Sequence, residues 1–241
     1  HVSFEVASEK VENVGFSVKG EEIRYHIIYG DDIKGVIENY TDLTGKPALP
    51  PAWSFGLWLS TSFTTNYDEE TTNSFIQGMA DRDIPLSVFH FDCFWMKEFH
   101  WCDFEWDSRI FPDVPGMLKR YKDKGLKICV WINPYISPAT ELYEKMEPYT
   151  ASHSVWCGIV PDYTLPEAQQ IADNHFKKNQ LDIGVSGYKL DENDGYDYWL
   201  WPDVATFPSG NAAEQIRQIY GSLLQNMTVR MYHKQNKRTY G

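Results

Sequence analysis

Basic residues are in short supply: 22 Lys and Arg stand against 34 Asp and Glu in 241 residues, a formal net charge of −12. No basic stripe runs through the chain, which argues against a phosphate-neutralising surface for nucleic acid. Apolar runs are short. None approaches the ~20 residues of a membrane-spanning helix, and no signal peptide opens the chain. The first residue is His rather than Met, which reads as a fragment or a processed chain. A glycine-rich phosphate cradle is missing, so nucleotide chemistry has no foothold. Cysteine is sparse as well: Cys93, Cys102, Cys129 and Cys157 show no paired-knuckle spacing and read as reduced thiols of a cytoplasmic protein. His90, Asp92, Cys93, His100, Cys102 and Asp103 sit close in sequence, yet their spacing fits neither a zinc knuckle nor a His-Glu-x-x-His helix. No cofactor is implied.

Aromatic residues are abundant, with Trp and Tyr dense around the expected strand ends. Each pairs a flat apolar face with a polar edge, which suits either a core or the face of a sugar ring. Residues up to about Gly30 alternate apolar and polar (Val2, Phe4, Val6, then Ile23, Tyr25, Ile27, Tyr29), which predicts half-buried strands with a turn at Lys19-Gly20-Glu21. Asp31 and Asp32 cap a helix carrying Ile33, Val36, Ile37, Tyr40 and Leu43 on one face, and Gly45 and Pro47 stop it.

From Trp53 the rhythm becomes strand, helix, strand, helix. Strands are expected at Phe55–Leu59, Leu86–Phe91, Lys127–Ile132 and Ile183–Leu190, with a fifth beginning at Arg238-Thr239-Tyr240. Helices are expected at Asp68–Asp81 (Phe75, Ile76 and Met79 inward), Val114–Lys124, Glu167–Lys178 and about Ala212–His233. Such alternation implies parallel βα units. The expected fold class is α/β: about the first half of a (β/α)8 barrel over residues 51–241. Before it come the end of a β-domain (1–30) and a linker helix with a proline-rich crossing (31–50).

Charge marks the tips of these strands. Ser186-Gly187-Tyr188-Lys189-Leu190-Asp191 is mostly apolar until it ends in carboxylates. Barrel enzymes keep their chemistry at that end of each strand. Lys189 and Asp191 are two apart and share a side of the strand, so the cation favours an ionised Asp191. Asp92 ends the second strand, and Trp131 and Asn133 end the third. Asp92 could instead cap a helix or turn, and Asp191 could form only a structural ion pair with Lys189. Two carboxylates and an aromatic wall fit a site that stabilises positive charge on a sugar.

Three long runs carry a family resemblance: Pro50-Pro51-Ala52-Trp53-Ser54-Phe55-Gly56-Leu57-Trp58-Leu59, Val88-Phe89-His90-Phe91-Asp92-Cys93-Phe94-Trp95-Met96, and Gly125-Leu126-Lys127-Ile128-Cys129-Val130-Trp131-Ile132-Asn133-Pro134-Tyr135. With the Lys189-Leu190-Asp191 triplet they resemble glycoside hydrolase family 31, and within it the bacterial α-xylosidases. The resemblance implies Asp191 as nucleophile, Lys189 as its partner, and Asp92 as the acid that holds the sugar's non-reacting hydroxyls. Phe63, Cys93, Phe94 and Trp131 would line the subsite for the terminal sugar. The implied partner is an oligosaccharide or glycoside substrate, and a homo-oligomer of the full-length protein stays open.

Departures from the family pattern matter. Asp194 stands where the family usually has Glu, and residues 195–203 differ from the α-xylosidases. The family's general acid lies beyond the fifth strand, so this segment alone is expected to be inactive. Two other readings stand beside the exo-acting α-xylosidase or α-glucosidase. One is the same chemistry on α-galactosides or α-N-acetylgalactosaminides. The other is a non-catalytic carbohydrate-binding remnant.

Overall fold

The computed structural model describes residues 2–62, 67–97, 101–156, 158–193 and 200–241. The chain divides into two units, His1–Ala48 and Leu49–Gly241.

In the first unit β1 (Val2–Val6) pairs antiparallel with β2 (Val14–Val18), matching Val2 to Val18, Phe4 to Phe16 and Val6 to Val14. The expected partner strand over Ile23–Tyr29 does not form, and the hairpin turns at residues 7–13, where Ala7 N–H donates to Asn13 O at 2.9 Å. Alternation marks a segment as able to form a strand but does not choose its ladder partner. Val14, Phe16 and Val18 alternate too and lie nearer. Helix α1 (Ile33–Thr44) starts where expected, because Asp32 Oδ1 accepts the Gly35 N–H at 2.8 Å. Ile33, Ile37, Tyr40 and Leu43 of its apolar face are exposed.

The second unit opens with a 3-10 turn at Ala52–Phe55, and of the strand expected at Phe55–Leu59 only Trp58 and Leu59 enter β3, which spans Trp58–Ser60. A Cβ on Gly56 would lie 2.0 Å from Ser87 Oγ, so the chain here passes too close to its neighbour for any side chain. Helix α2 (Glu69–Ala80) is capped by Asp68, and buries Thr72 and Ile76 while Phe75 stays exposed. Then come β4 (Val88–Phe91), α3 (Val114–Asp123) and β5 (Lys127–Ile132). An excursion not foreseen in the sequence follows: α4 (Leu142–Met146) and the antiparallel hairpin β6 (Thr150–Val155) and β7 (Gly158–Pro161). Helix α5 (Pro166–Phe176) runs on into a π turn before β8 (Gly187–Leu190), and α6 (Ala213–His233) follows.

Strands β3, β4, β5 and β8 form one parallel sheet in that order. With the helices this is the first part of a (β/α)8 barrel. Phe89 and Phe91 turn to one side, where Phe91 meets Phe111 and Tyr121 in the aromatic core under α3. Residues of opposite parity face the other way. Ser60, His90, Cys129 and Gly187 lie in one register layer, and Trp131 and Lys189 pair in the next, level with Asp92. Past α6 the chain returns beside β8, where the Tyr188 N–H donates to Tyr240 O at 2.8 Å without forming a full strand. A Cβ on Gly187 would sit 2.7 Å from that same Tyr240 oxygen, so glycine is required for the approach.

Candidate active site

Three strand tips bring Asp92, Trp131, Lys189 and Asp191 together although they span about 100 positions of sequence. Asp92 follows β4, and its side chain is only 6 % exposed. Its Oδ1 accepts the Cys93 N–H at 2.9 Å, capping the short turn at Cys93–Trp95, so the capping role weighed from the sequence coexists with its place in the cluster. Its own N–H donates to Thr61 Oγ1 at 2.9 Å, which ties the tip of β4 to the end of β3.

Lys189 bridges two acids. Its ammonium lies 3.3 Å from Asp92 Oδ2 and 3.0 Å from Asp191 Oδ2. Burial pulls against the charged amine, but the two carboxylates outweigh it and raise its pKa. Asp191 Oδ2 also accepts the Trp131 indole N–H at 2.7 Å, while Oδ1 accepts the Glu192 backbone N–H at 3.0 Å. Burial pushes the Asp191 carboxyl upward; the Trp131 and Lys189 donors and the Glu192 amide outweigh it and hold the group below the usual carboxylate range. Asp191 is therefore an ionised, half-buried carboxylate with its geometry fixed from three sides.

The Glu192 amide is aimed by an unusual backbone: Glu192 has φ of 58°, and the Tyr135 hydroxyl donates to its carbonyl at 2.7 Å. A non-glycine residue in the left-handed region is uncommon and is held there by its surroundings.

An aromatic wall leads to this carboxylate. Phe94 meets Trp101 edge-on at 5.6 Å, Trp101 stacks on Trp156 at 5.4 Å, and Trp156 meets Trp131 edge-on at 5.9 Å. Trp101 and Trp156 were not singled out in the sequence. Trp156 arrives from the unforeseen hairpin, with φ of 54°, so no local pattern announces it. Asn133, fully buried past the end of β5, holds the loop that carries Trp101: its amide donates to Trp101 O at 2.5 Å, while its Oδ1 accepts from Tyr135 N–H at 2.9 Å. Cys93 is buried behind the acids, and burial and then the Asp92 charge push its thiol up to about 12, so it is a neutral wall and not a nucleophile. Phe63 and Asp194 lie outside the described residues. Among the described residues no three His, Cys, Asp or Glu side chains gather closely enough to hold a metal ion. No described helix is long and apolar enough to cross a membrane.

The Trp131 hydrogen bond gives a direct test. Trp131→Phe keeps the ring and removes the N–H. Loss of a hydrogen bond to a charged acceptor is expected to lower kcat/KM by about 10- to 100-fold in a full-length enzyme. The acid limb of its pH profile should move upward, as titration of kcat/KM against pH would show.

Known proteins agree with this architecture. Residues 47–240 match the Glycosyl hydrolases family 31 TIM-barrel domain. The chain is 50 % identical over 202 residues to an α-xylosidase of Emericella nidulans, covering 79 % of this chain and 26 % of the relative. It is 48 % identical over 203 residues to the α-xylosidase XylQ of Lactiplantibacillus pentosus, with the same 79 % and 26 % coverage. It thus spans about a quarter of the length of these relatives. Among solved structures, a family 31 dextranase of Flavobacterium johnsoniae superposes with a TM-score of 0.81 at 24 % identity, covering 100 % of this chain and 32 % of that one. With the register, the strand-tip acids and these matches in place, the chain belongs to glycoside hydrolase family 31.

Proposed function

We propose that this chain is the nucleophile-bearing half barrel of a longer, retaining α-glycoside hydrolase that acts on terminal α-xylosides, with α-glucosides as the nearest alternative. Residues 1–30 would end an N-terminal β-domain, 31–50 link it to the barrel, and 51–241 form the barrel's first half. One observation carries the reading: Asp191 is held ionised at a strand tip by Trp131, Lys189 and the Glu192 amide, beside an aromatic wall. The α-xyloside preference is supported by the activity for which the two relatives near 50 % identity are named.

In this mechanism Asp191 Oδ1, which accepts the Glu192 backbone N–H, attacks the anomeric carbon and forms a glycosyl-enzyme ester. A second carboxylic acid protonates the departing oxygen, then takes a proton from the water that cleaves the ester. That acid would come from beyond the fifth strand of the longer protein, downstream of this chain. Lys189 balances the charge of Asp191 before the attack. Asp92, bridged to the same ammonium, would hold hydroxyls of the sugar that do not react, and Phe63, Cys93, Phe94 and Trp131 would pack around it.

The full-length protein should be assayed on aryl α-xyloside, α-glucoside, α-galactoside and α-N-acetylgalactosaminide. Fastest turnover of the xyloside, with the α-anomer released first, supports the proposal. Preference for a galactoside or a 2-acetamido sugar replaces the substrate class while keeping the chemistry. Saturable sugar binding without turnover would make the protein a binding remnant.

A further inference from the structure

The parallel ladder between β5 and β8 runs up to Asp191, whose N–H donates to Ile132 O at 2.9 Å. One residue later the chain turns out of the strand. Glu192 takes a φ of 58°, a conformation that costs a residue with a side chain energy and persists only where its surroundings fix it. Such outliers gather at working sites. This one adjoins the proposed nucleophile and carries the amide that donates to Asp191 Oδ1 at 3.0 Å.

A hold on Glu192 comes from beyond the end of β5. The Tyr135 hydroxyl donates to Glu192 O at 2.7 Å across 57 positions of sequence. Tyr135 is fully buried, and the chain on either side of it is tied down. Its N–H donates to Asn133 Oδ1 at 2.9 Å, and Pro134 O accepts the Tyr163 hydroxyl at 3.1 Å. Ile136 exchanges both backbone hydrogen bonds with Ile159 of β7, at 3.1 and 2.9 Å. A Cβ on Gly158 would lie 2.8 Å from Tyr135 Cβ, so the hairpin β6–β7 packs close against this residue. The hydroxyl therefore has a rigid mount. Turning Glu192 to negative φ would swing either its carbonyl off Tyr135 or its amide off Asp191 Oδ1. The two hydrogen bonds thus hold the same torsion.

We propose that Tyr135 is a positioning residue for the nucleophile: its hydroxyl holds Glu192 left-handed and so keeps the Glu192 amide on Asp191 Oδ1. The proposal rests on the reading of Asp191 as nucleophile. Tyr135 acts through the backbone of Glu192 and not on the sugar. Among the described residues the charges near Asp191 are Lys189 from β8, Asp92 from the tip of β4, and Glu192 itself. Burial lowers the pKa of His90, on β4, to about 4, so its imidazole is neutral near pH 7. The Glu192 amide is one of the donors that hold the Asp191 carboxyl low. Loosening it lets Asp191 protonate at higher pH.

The test uses two variants of the full-length protein, with thermal unfolding, kcat/KM against pH on an aryl α-xyloside, and crystal structures. Tyr135→Phe keeps the ring and its packing and removes the hydroxyl. Replacement of Tyr135 by p-aminophenylalanine keeps an N–H donor in the same place. Tyr135→Phe is expected to lower kcat/KM about tenfold, through kcat more than KM, and to move the acid limb upward. The amino variant should recover most of the rate and return the limb, even where it unfolds earlier. A Phe variant within about twofold of the parent, an unmoved limb, or an amino variant as displaced as Phe would reduce Tyr135 to packing. If the full-length protein cleaves none of the sugars, the parent reading fails separately. The crystal of Tyr135→Phe then decides. Glu192 turned to negative φ with its amide off Asp191 supports the positioning role. Glu192 still near 58°, with the amide at 3.0 Å, overturns it.

Discussion

Asp191→Ala in the full-length protein is expected to lower kcat for an aryl α-xyloside by about 10⁴-fold or more, the scale at which removing one member of a nucleophilic site acts. In the proposed mechanism the carboxylate forms the bond to the sugar in the first step and leaves in the second, so no neighbour can substitute for it. Glu192 is adjacent, but its amide already serves Asp191 Oδ1 and its backbone is fixed in the left-handed region. The variant should fold, because the Asp191 side chain is 36 % exposed and Lys189 keeps Asp92 as a partner. The alanine also leaves a small space behind the anomeric carbon. Azide entering it should restore turnover and yield a glycosyl azide of inverted configuration, which nuclear magnetic resonance would identify. Turnover within about tenfold of the parent would move the nucleophile elsewhere.

Much of this site was legible because the residues that form it lie on strands with unambiguous writing. Lys127–Ile132 is an apolar run between Gly125 and Asn133, and β5 occupies those same residues. Asp92 and Asp191 stood out because charge at the tip of a buried strand has few innocent reasons. Convergence of Asp92, Trp131 and Lys189 then follows from the parallel register, since each lies at the same level on its strand. What stayed illegible depends on contacts remote in sequence. The hairpin β6–β7 is polar over most of β6, so no alternation marks it, and with it the position of Trp156 was lost. The strand expected at Phe55–Leu59 starts late, because Phe55 ends a 3-10 turn and Gly56 passes close against Ser87, a contact 31 positions away.

Lys189→Met should produce the other large effect, and its direction is fixed by the charges it leaves. The substitution keeps the length of the stem and removes the cation between two acids. Asp92, with its side chain 6 % exposed, loses its ion-pair partner in a place where water cannot replace it. Asp191 loses one of the three donors that depress its pKa and gains uncompensated repulsion from Asp92. Truncating one partner of a partly buried charge pair is expected to lower kcat/KM by about 10²-fold or more. Lys189 is itself 46 % exposed, so solvent screens part of the effect and a larger loss is not required. The sign of the pH dependence follows from the nucleophile. As the proposed nucleophile, Asp191 would attack only when ionised, so activity should be present above its pKa and lost as pH falls through it. Removing the cation raises that pKa, and the loss must begin at higher pH than in the parent. Profiles of kcat/KM that superimpose on their acid limbs would show that Lys189 does not set the charge state of Asp191.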